Sequence, residues 1–120
     1  MELPNRDEAY IQTTKLTGYL LSETHVVGKS KAKFFRAKGF NETNLPLLEQ
    51  ALLNLARTQP VQSSAQTIHG TKYVIIGAIN TALASTISVL SVRIIDSGQT
   101  ASRFVTARPY KSSLESPNHD

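Results

Sequence analysis

Apolar side chains recur at helical spacing in the first half of the chain and at alternating spacing in the second half. The longest helical pattern runs through Leu48, Leu52 and Leu55, which return every three or four residues, as one face of a helix requires. Asn44 is the predicted N-cap of this helix, and Pro60 prevents it from continuing. The pattern therefore predicts one long amphipathic helix before residue 60.

Two shorter helices are predicted before the long one. Lys15 to Leu21 places Leu16, Tyr19 and Leu20 on a single apolar face. Lys31 to Lys38 forms the second short helix, with Ser30 as its N-cap and Gly39 in the C-cap position. Gly28 is expected to give the preceding loop its conformational freedom.

The residue composition changes after Pro60, where β-branched and aromatic residues become frequent. Strands are predicted over 61–68, 72–79, 85–96 and 101–110, the first as a polar edge strand, with turns at His69–Gly70 and Asp96–Gly98. Helices followed by strands with short turns are typical of an α+β fold. We expect about three N-terminal helices packed on a small antiparallel sheet of three to four strands. One domain should cover residues 1–110, with 111–120 as a disordered polar tail.

The composition removes several classes of function. The 120 residues include no cysteine, which excludes disulfides and thiolate chemistry. The three histidines show no helical pairing with acidic residues, so neither a metal site nor a cofactor is expected. The polar start is unlike a signal peptide, and the longest apolar run, 73–95, is interrupted by polar residues. No membrane span and a cytoplasmic location are therefore expected.

Positive charge is concentrated in one stretch, His25 to Phe40. It contains five lysines and arginines and no acidic residue, in a chain whose formal net charge is +4. Lys29 and Lys31, beside a helix N-terminus, suit a phosphate group. The alternative is a solvated helix face, with Lys33 and Arg36 pointing outward while the adjacent phenylalanines face the core. The stretch is not a P-loop, because the first glycine of the GxxxxGKS/T pattern is missing.

A second polar group lies on the last predicted strand. Strict alternation places Arg103, Val105 and Ala107 on one face, and Phe104, Thr106 and Arg108 on the other. Thr106 beside Arg108 suits phosphate binding, although threonine is equally a good strand former. Lys72, at the entry to an earlier strand, is expected to face the open side of the sheet.

Other catalytic patterns are missing from the sequence. No paired carboxylates occupy plausible core positions, and no serine lies in a GxSxG elbow. A histidine with several cations remains, which is the minimum set for a metal-independent ribonuclease. That reaction needs a base for the 2′-hydroxyl, an acid for the leaving oxygen and a cation for the phosphorane charge.

Four segments resemble a small bacterial domain-of-unknown-function family, the one numbered 6883. They are KLTGYLL (15–21), HVVGKSKAKFFRAKGF (25–40), GTKYVIIG (70–77) and RFVTARPY (103–110). The resemblance covers about residues 1–110. More loosely, the layout of helices with His and Lys before a small antiparallel sheet resembles the barnase, EndoU and RelE group of ribonuclease toxins.

Residue patterns and resemblance together define a candidate site. The expected catalytic residues are His25, Lys31, Arg103 and Thr106, and the expected substrate-binding residues are Lys29, Lys72, Arg108 and Tyr110. The last strand departs from the family's VTAYP pattern, because Arg108 replaces the tyrosine and Tyr110 follows the proline.

Three hypotheses follow from the sequence. The first is a metal-independent ribonuclease toxin that acts on RNA and is bound by an acidic immunity or antitoxin protein. The second is a non-catalytic binding module whose basic face docks nucleic acid or an acidic protein. The third is an accessory domain in which the cations serve only solubility.

Overall fold

The computed structural model describes residues 1–111, and it has the predicted α+β architecture. The helices are α1 (Thr13–Lys15), continued by a π-helical turn (Leu16–Leu20), α2 (Lys29–Ala37) and α3 (Leu45–Thr58), with 3-10 turns at Arg6–Glu8 and Glu42–Asn44. The strands are β1 (Val61–Thr67), β2 (Gly70–Asn80), β3 (Thr86–Asp96) and β4 (Arg103–Pro109). Three helices packed on a four-stranded sheet confirm the expected fold class. The predicted disordered tail lies, from residue 112 on, outside the described residues.

The sheet is an antiparallel meander in the order β1-β2-β3-β4. β2 and β3 pair without interruption from Gly70 opposite Asp96 to Asn80 opposite Thr86. Gly70 has a φ of 146°, and a Cβ atom there would lie 2.2 Å from the carbonyl oxygen of Ile95. Only glycine therefore fits the β1–β2 turn at this position.

The hydrophobic core lies between α3 and one face of the sheet. Leu48, Leu52 and Leu55 are fully buried, as their helical spacing predicts. Opposite them, Gly77 on β2 leaves room for the helix, because a Cβ atom there would lie 2.6 Å from Leu55 Cδ1. Phe35 of α2 joins the same core, so α2 and α3 both anchor to this face.

The starts of the helices differ from the sequence prediction. α2 begins at Lys29, so Ser30 lies inside the helix and is not its N-cap. Asn44 makes no capping hydrogen bond to α3; instead Asn41 caps the short turn before it, accepting from Thr43 N at 2.8 Å. The Asn44 side chain accepts instead from Asn41 N at 2.8 Å, so it closes the turn before α3.

Strict alternation along β4 was also the wrong prediction. Arg93 pairs with Phe104 while Val92 pairs with Thr106, so β4 carries one extra residue between them. Such a β-bulge shifts every later side chain by one position. Phe104 and Ala107, predicted on opposite faces, are consequently both buried in the same core.

Candidate functional site

Tyr19 stands at the centre of a group of polar and charged side chains. It lies in the π-helical turn, with Leu16 and Leu20 of the same turn buried beneath it. Its hydroxyl is 3.0 Å from Thr106 Oγ1 on β4, within hydrogen-bonding distance, and either oxygen can donate. This hydrogen bond joins the N-terminal helical segment to the edge strand of the sheet.

His25 packs against the same tyrosine. The two rings meet edge to face, with their centroids 5.0 Å apart. His25 Nδ1 accepts two backbone hydrogen bonds, from Val27 N at 3.1 Å and from Gly28 N at 3.0 Å. Because an acceptor nitrogen carries no proton, the ring proton lies on Nε2. The free edge of the imidazole is thus a hydrogen-bond donor.

Two lysines approach the Tyr19 ring. Lys15 Nζ lies 5.1 Å and Lys31 Nζ lies 5.8 Å from the ring centroid, both at cation–π distance. We use the name Tyr19 cluster for Lys15, Tyr19, His25, Lys31 and Thr106. Three of the four expected catalytic residues, His25, Lys31 and Thr106, are therefore brought together around a residue that was not expected.

Gly28 allows the loop that follows His25 to pack closely against Tyr19. A Cβ atom at this position would lie 2.4 Å from the carbonyl oxygen of Tyr19 and 3.1 Å from its ring. The φ of Gly28 is −82°, which any residue adopts, so conformational freedom is not the reason for glycine here. Close approach to Tyr19 is the reason.

The lysines near the Tyr19 cluster have no carboxylate partner within residues 1–111. Every ion pair among these residues is made by an arginine. None of them involves Lys15, Lys29 or Lys31. Lys29, at the first position of α2, is exposed. Positive charge at this surface is thus not neutralised by a carboxylate of residues 1–111.

Arg36 was predicted to point outward into solvent, but its side chain is half-buried and hydrogen-bonded. Its guanidinium donates to Leu21 O and to both carboxylate oxygens of Glu42, and Glu23 lies 3.9 Å away. The hydrogen bond from Arg36 holds the pKa of Glu42 below its usual value. Arg36 therefore links α2 to its neighbouring loops, because Glu23 and Glu42, which flank the basic stretch in the sequence, lie close to its guanidinium.

Arg103 lies outside the Tyr19 cluster, at the other end of β4. It donates two hydrogen bonds to Asp96, at 2.8 Å and 3.1 Å. These bonds lower the pKa of Asp96 and raise the pKa of Arg103. The structure therefore shows this expected catalytic residue in a bidentate ion pair that closes the β3–β4 hairpin.

The expected substrate-binding residues are dispersed. Lys72 is exposed on β2, opposite Ile94, and Arg108 is exposed on β4, opposite Leu90. Tyr110 is half-buried beside an open cavity of about 380 Å³, which Phe34 and Lys38 also line. Only Lys29 lies next to the Tyr19 cluster in the chain.

Tyr19 and Lys15 are the residues that sequence reasoning missed. Tyr19 was assigned to the apolar face of a short helix, which accounts for its ring and leaves its hydroxyl unexplained. The signal was present in KLTGYLL, where a tyrosine with a nearby lysine stands among leucines. Its partner Thr106 is 87 residues away, so local pattern could not pair them.

Residues 1–111 contain neither a metal-binding group of side chains nor a helix suited to a membrane. No group of three or more His, Asp or Glu side chains in that part of the chain is placed to hold a metal ion. None of its helices combines the length and the apolar character needed to cross a membrane.

The fold is shared with a solved structure. It is a chain of a contact-dependent growth inhibition toxin–immunity protein complex from Klebsiella pneumoniae 342, with a TM-score of 0.68 and 10% sequence identity. The match covers 89% of this chain and 97% of that chain. No protein of curated function matches the sequence.

The family comparison covers almost the whole sequence. A family model described as "Domain of unknown function (DUF6883)" matches residues 2–111. That match contains all five residues of the Tyr19 cluster and the whole sheet. The chain therefore belongs to the DUF6883 family.

Proposed function

We propose that this domain is a metal-independent ribonuclease-type toxin module, with the Tyr19 cluster as its phosphodiester site. The observation that carries the proposal is the convergence of His25, Lys31 and Thr106 on Tyr19, with lysines that no described carboxylate neutralises. The fold shared with a chain of a toxin–immunity protein complex supports it.

The proposed chemistry joins the 2′-oxygen of RNA to phosphorus and breaks the bond from phosphorus to the 5′-oxygen. Lys15 and the His25 Nε2–H group stabilise the charge on the phosphorane oxygens. Lys31 joins them as a further cation. The 2′-hydroxyl gives its proton to Thr106 Oγ1, which passes its own proton to the Tyr19 hydroxyl along their hydrogen bond. Tyr19, oriented by Thr106, donates a proton to the leaving 5′-oxygen.

Binding of the rest of the substrate is proposed for the exposed cations. Lys29 lies beside the Tyr19 cluster in the chain, and Lys72 and Arg108 stand on the sheet, where they can contact neighbouring phosphates. Tyr110 is half-buried at the cavity beside α2 and offers a ring for a base to contact. Arg103 is assigned to the Asp96 ion pair, outside the catalytic group.

The test is cleavage of single-stranded RNA by the purified chain in EDTA, with the ends of the products identified by mass spectrometry. We expect fragments that end in a 2′,3′-cyclic phosphate, and a rate lowered about 100-fold or more by Lys31→Gln or Tyr19→Phe. Lys33→Gln is the matched control, since this exposed lysine of α2 lies outside the cluster. Full activity in the Lys31 and Tyr19 variants would remove these residues from the mechanism.

The second candidate is a binding module that docks RNA or an acidic immunity-type protein without turnover. Val26 and Val27, which are 85% and 60% exposed beside His25, favour a protein partner, because exposed apolar side chains next to unpaired cations suit an acidic surface. Tight, salt-sensitive binding of RNA with no cleavage by the unaltered chain would select this candidate over the enzyme.

A further inference from the structure

Arg93 is a charged side chain in the interior of the protein. It is 0% exposed and projects from the middle of β3 toward the N-terminal segment. Its Nε donates to Ser102 Oγ at 2.9 Å, and its Nη2 donates to the carbonyl oxygens of Ser102 and Tyr10. All of these acceptors are neutral, so the guanidinium has hydrogen bonds but no counter-charge from them.

Arg57, near the end of α3, reaches the same segment. Its Nη2 lies 3.4 Å from Ala9 O, the carbonyl that precedes the one bound by Arg93. Arg57 Nε and Arg93 Nη1 are both buried, and neither has a hydrogen-bond partner among residues 1–111. The two arginines thus bind adjacent peptide groups through their Nη2 atoms, and each keeps one buried N–H donor without a partner.

The local charge is unbalanced. Neither arginine forms an ion pair with a carboxylate of the described residues. Burial, and then the positive charge of Arg57, lower the pKa of Arg93 to about 10, while Tyr10 acts in the opposite direction. An uncompensated buried cation is costly, and a second cation beside it adds to the cost.

We propose that Arg57 Nε and Arg93 Nη1 together bind one small, weakly hydrated monovalent anion of the chloride class. The burial of both atoms excludes nucleic acid, and a weakly hydrated anion loses least on leaving water. The two N–H groups and the two positive charges are what such an anion requires. The bound anion fixes the 9–10 segment against β3 and α3.

The experiment measures thermal unfolding of the full chain at neutral pH and constant ionic strength, while sodium chloride replaces sodium gluconate. The expected result is a saturable rise in Tm of about 4 °C or more, since a ligand that binds only the folded state stabilises it. Bromide should reproduce the rise, and a bromide-soaked crystal should show an anomalous peak between Arg57 Nε and Arg93 Nη1. Equal Tm in chloride and gluconate, or a crystal with only water there, would overturn the proposal.

The variant for this test is Arg57→Gln, because Arg57 makes only one long hydrogen bond and is only partly buried. Arg57→Gln should fold but lack the saturable rise of Tm in chloride. Lys33→Gln, which removes the same charge at an exposed position, should keep the response. A response retained in Arg57→Gln, or lost in Lys33→Gln, would assign the effect to chloride acting elsewhere on the protein and refute the site.

Discussion

Replacing Gly28 with alanine is the substitution that tests the packing behind the Tyr19 cluster. The new methyl group would lie 2.4 Å from the carbonyl oxygen of Tyr19, and a backbone oxygen cannot rotate away as a side chain can. Overpacking of this kind costs about 1–3 kcal/mol of unfolding free energy. Gly18→Ala is the matched control, because no atom lies within 4 Å of a Cβ there. In a helical turn that change gains about 0.5–1 kcal/mol.

The measurement is urea unfolding of the unaltered chain and both variants, with free energies compared at equal m-values. Gly28→Ala should unfold at lower urea and Gly18→Ala at equal or higher urea, a separation of about 1.5–4 kcal/mol. Gly28→Ala should also weaken RNA binding, since the loop that holds His25 must move away from Tyr19. If Gly28→Ala matches the unaltered chain in stability, the close approach of these two segments is wrong.

Two further predictions concern single hydrogen bonds. Tyr19→Phe removes the bond to Thr106 and should cost about 0.5–1.5 kcal/mol in urea unfolding, and an unchanged midpoint would contradict that bond. The pKa of Asp96 is lowered by Arg103, so this pair contributes stability above the unfolded-state pKa of about 3.9, which is lost as the pH falls through the lower folded-state value. Unfolding free energy should therefore drop less steeply below about pH 4 in Asp96→Asn than in the unaltered chain. Equal slopes would show that the ion pair is absent in solution.

Local pattern predicted most of the fold. The stripe through Leu48, Leu52 and Leu55 and the stop at Pro60 are properties of one helix, and they carry their own period in the sequence. The turn at Gly70 and the C-terminal glycine of α2, Gly39 with a φ of 90°, are likewise local requirements. These features needed no knowledge of what packs against them.

The features that the sequence did not predict all depend on distant partners. The bulge in β4 exists because Phe104 must reach the core while Thr106 remains at the edge, and alternation alone cannot show that. Arg36 meets Glu42 only because the chain turns at Gly39. Only part of the candidate site could be predicted for the same reason. His25 and Lys31 were predicted, because both lie in the basic stretch.

The other half of the candidate site needs the three-dimensional contacts. Tyr19 is marked as more than a core residue by the distance from its hydroxyl to Thr106 and by the two lysines at its ring. Arg103 was expected to be a catalytic residue, and the β3–β4 turn gives it Asp96 as an ion-pair partner. Residue type predicts which side chains can do chemistry, and topology decides which of them meet.

The salt dependence of binding tests most directly whether the Tyr19 cluster is the site for RNA. The probe is a 2′-deoxy oligonucleotide, which binds without being cleaved, and the affinity is measured from about 50 to 200 mM salt. Loss of Lys15 and Lys31 together, as K15Q/K31Q, should reduce the slope of log affinity against log salt by about 1.4, since each phosphate contact on a single strand contributes about 0.7. Lys33→Gln should leave the slope unchanged. An unchanged slope in K15Q/K31Q, or an equal loss in Lys33→Gln, would contradict the central claim.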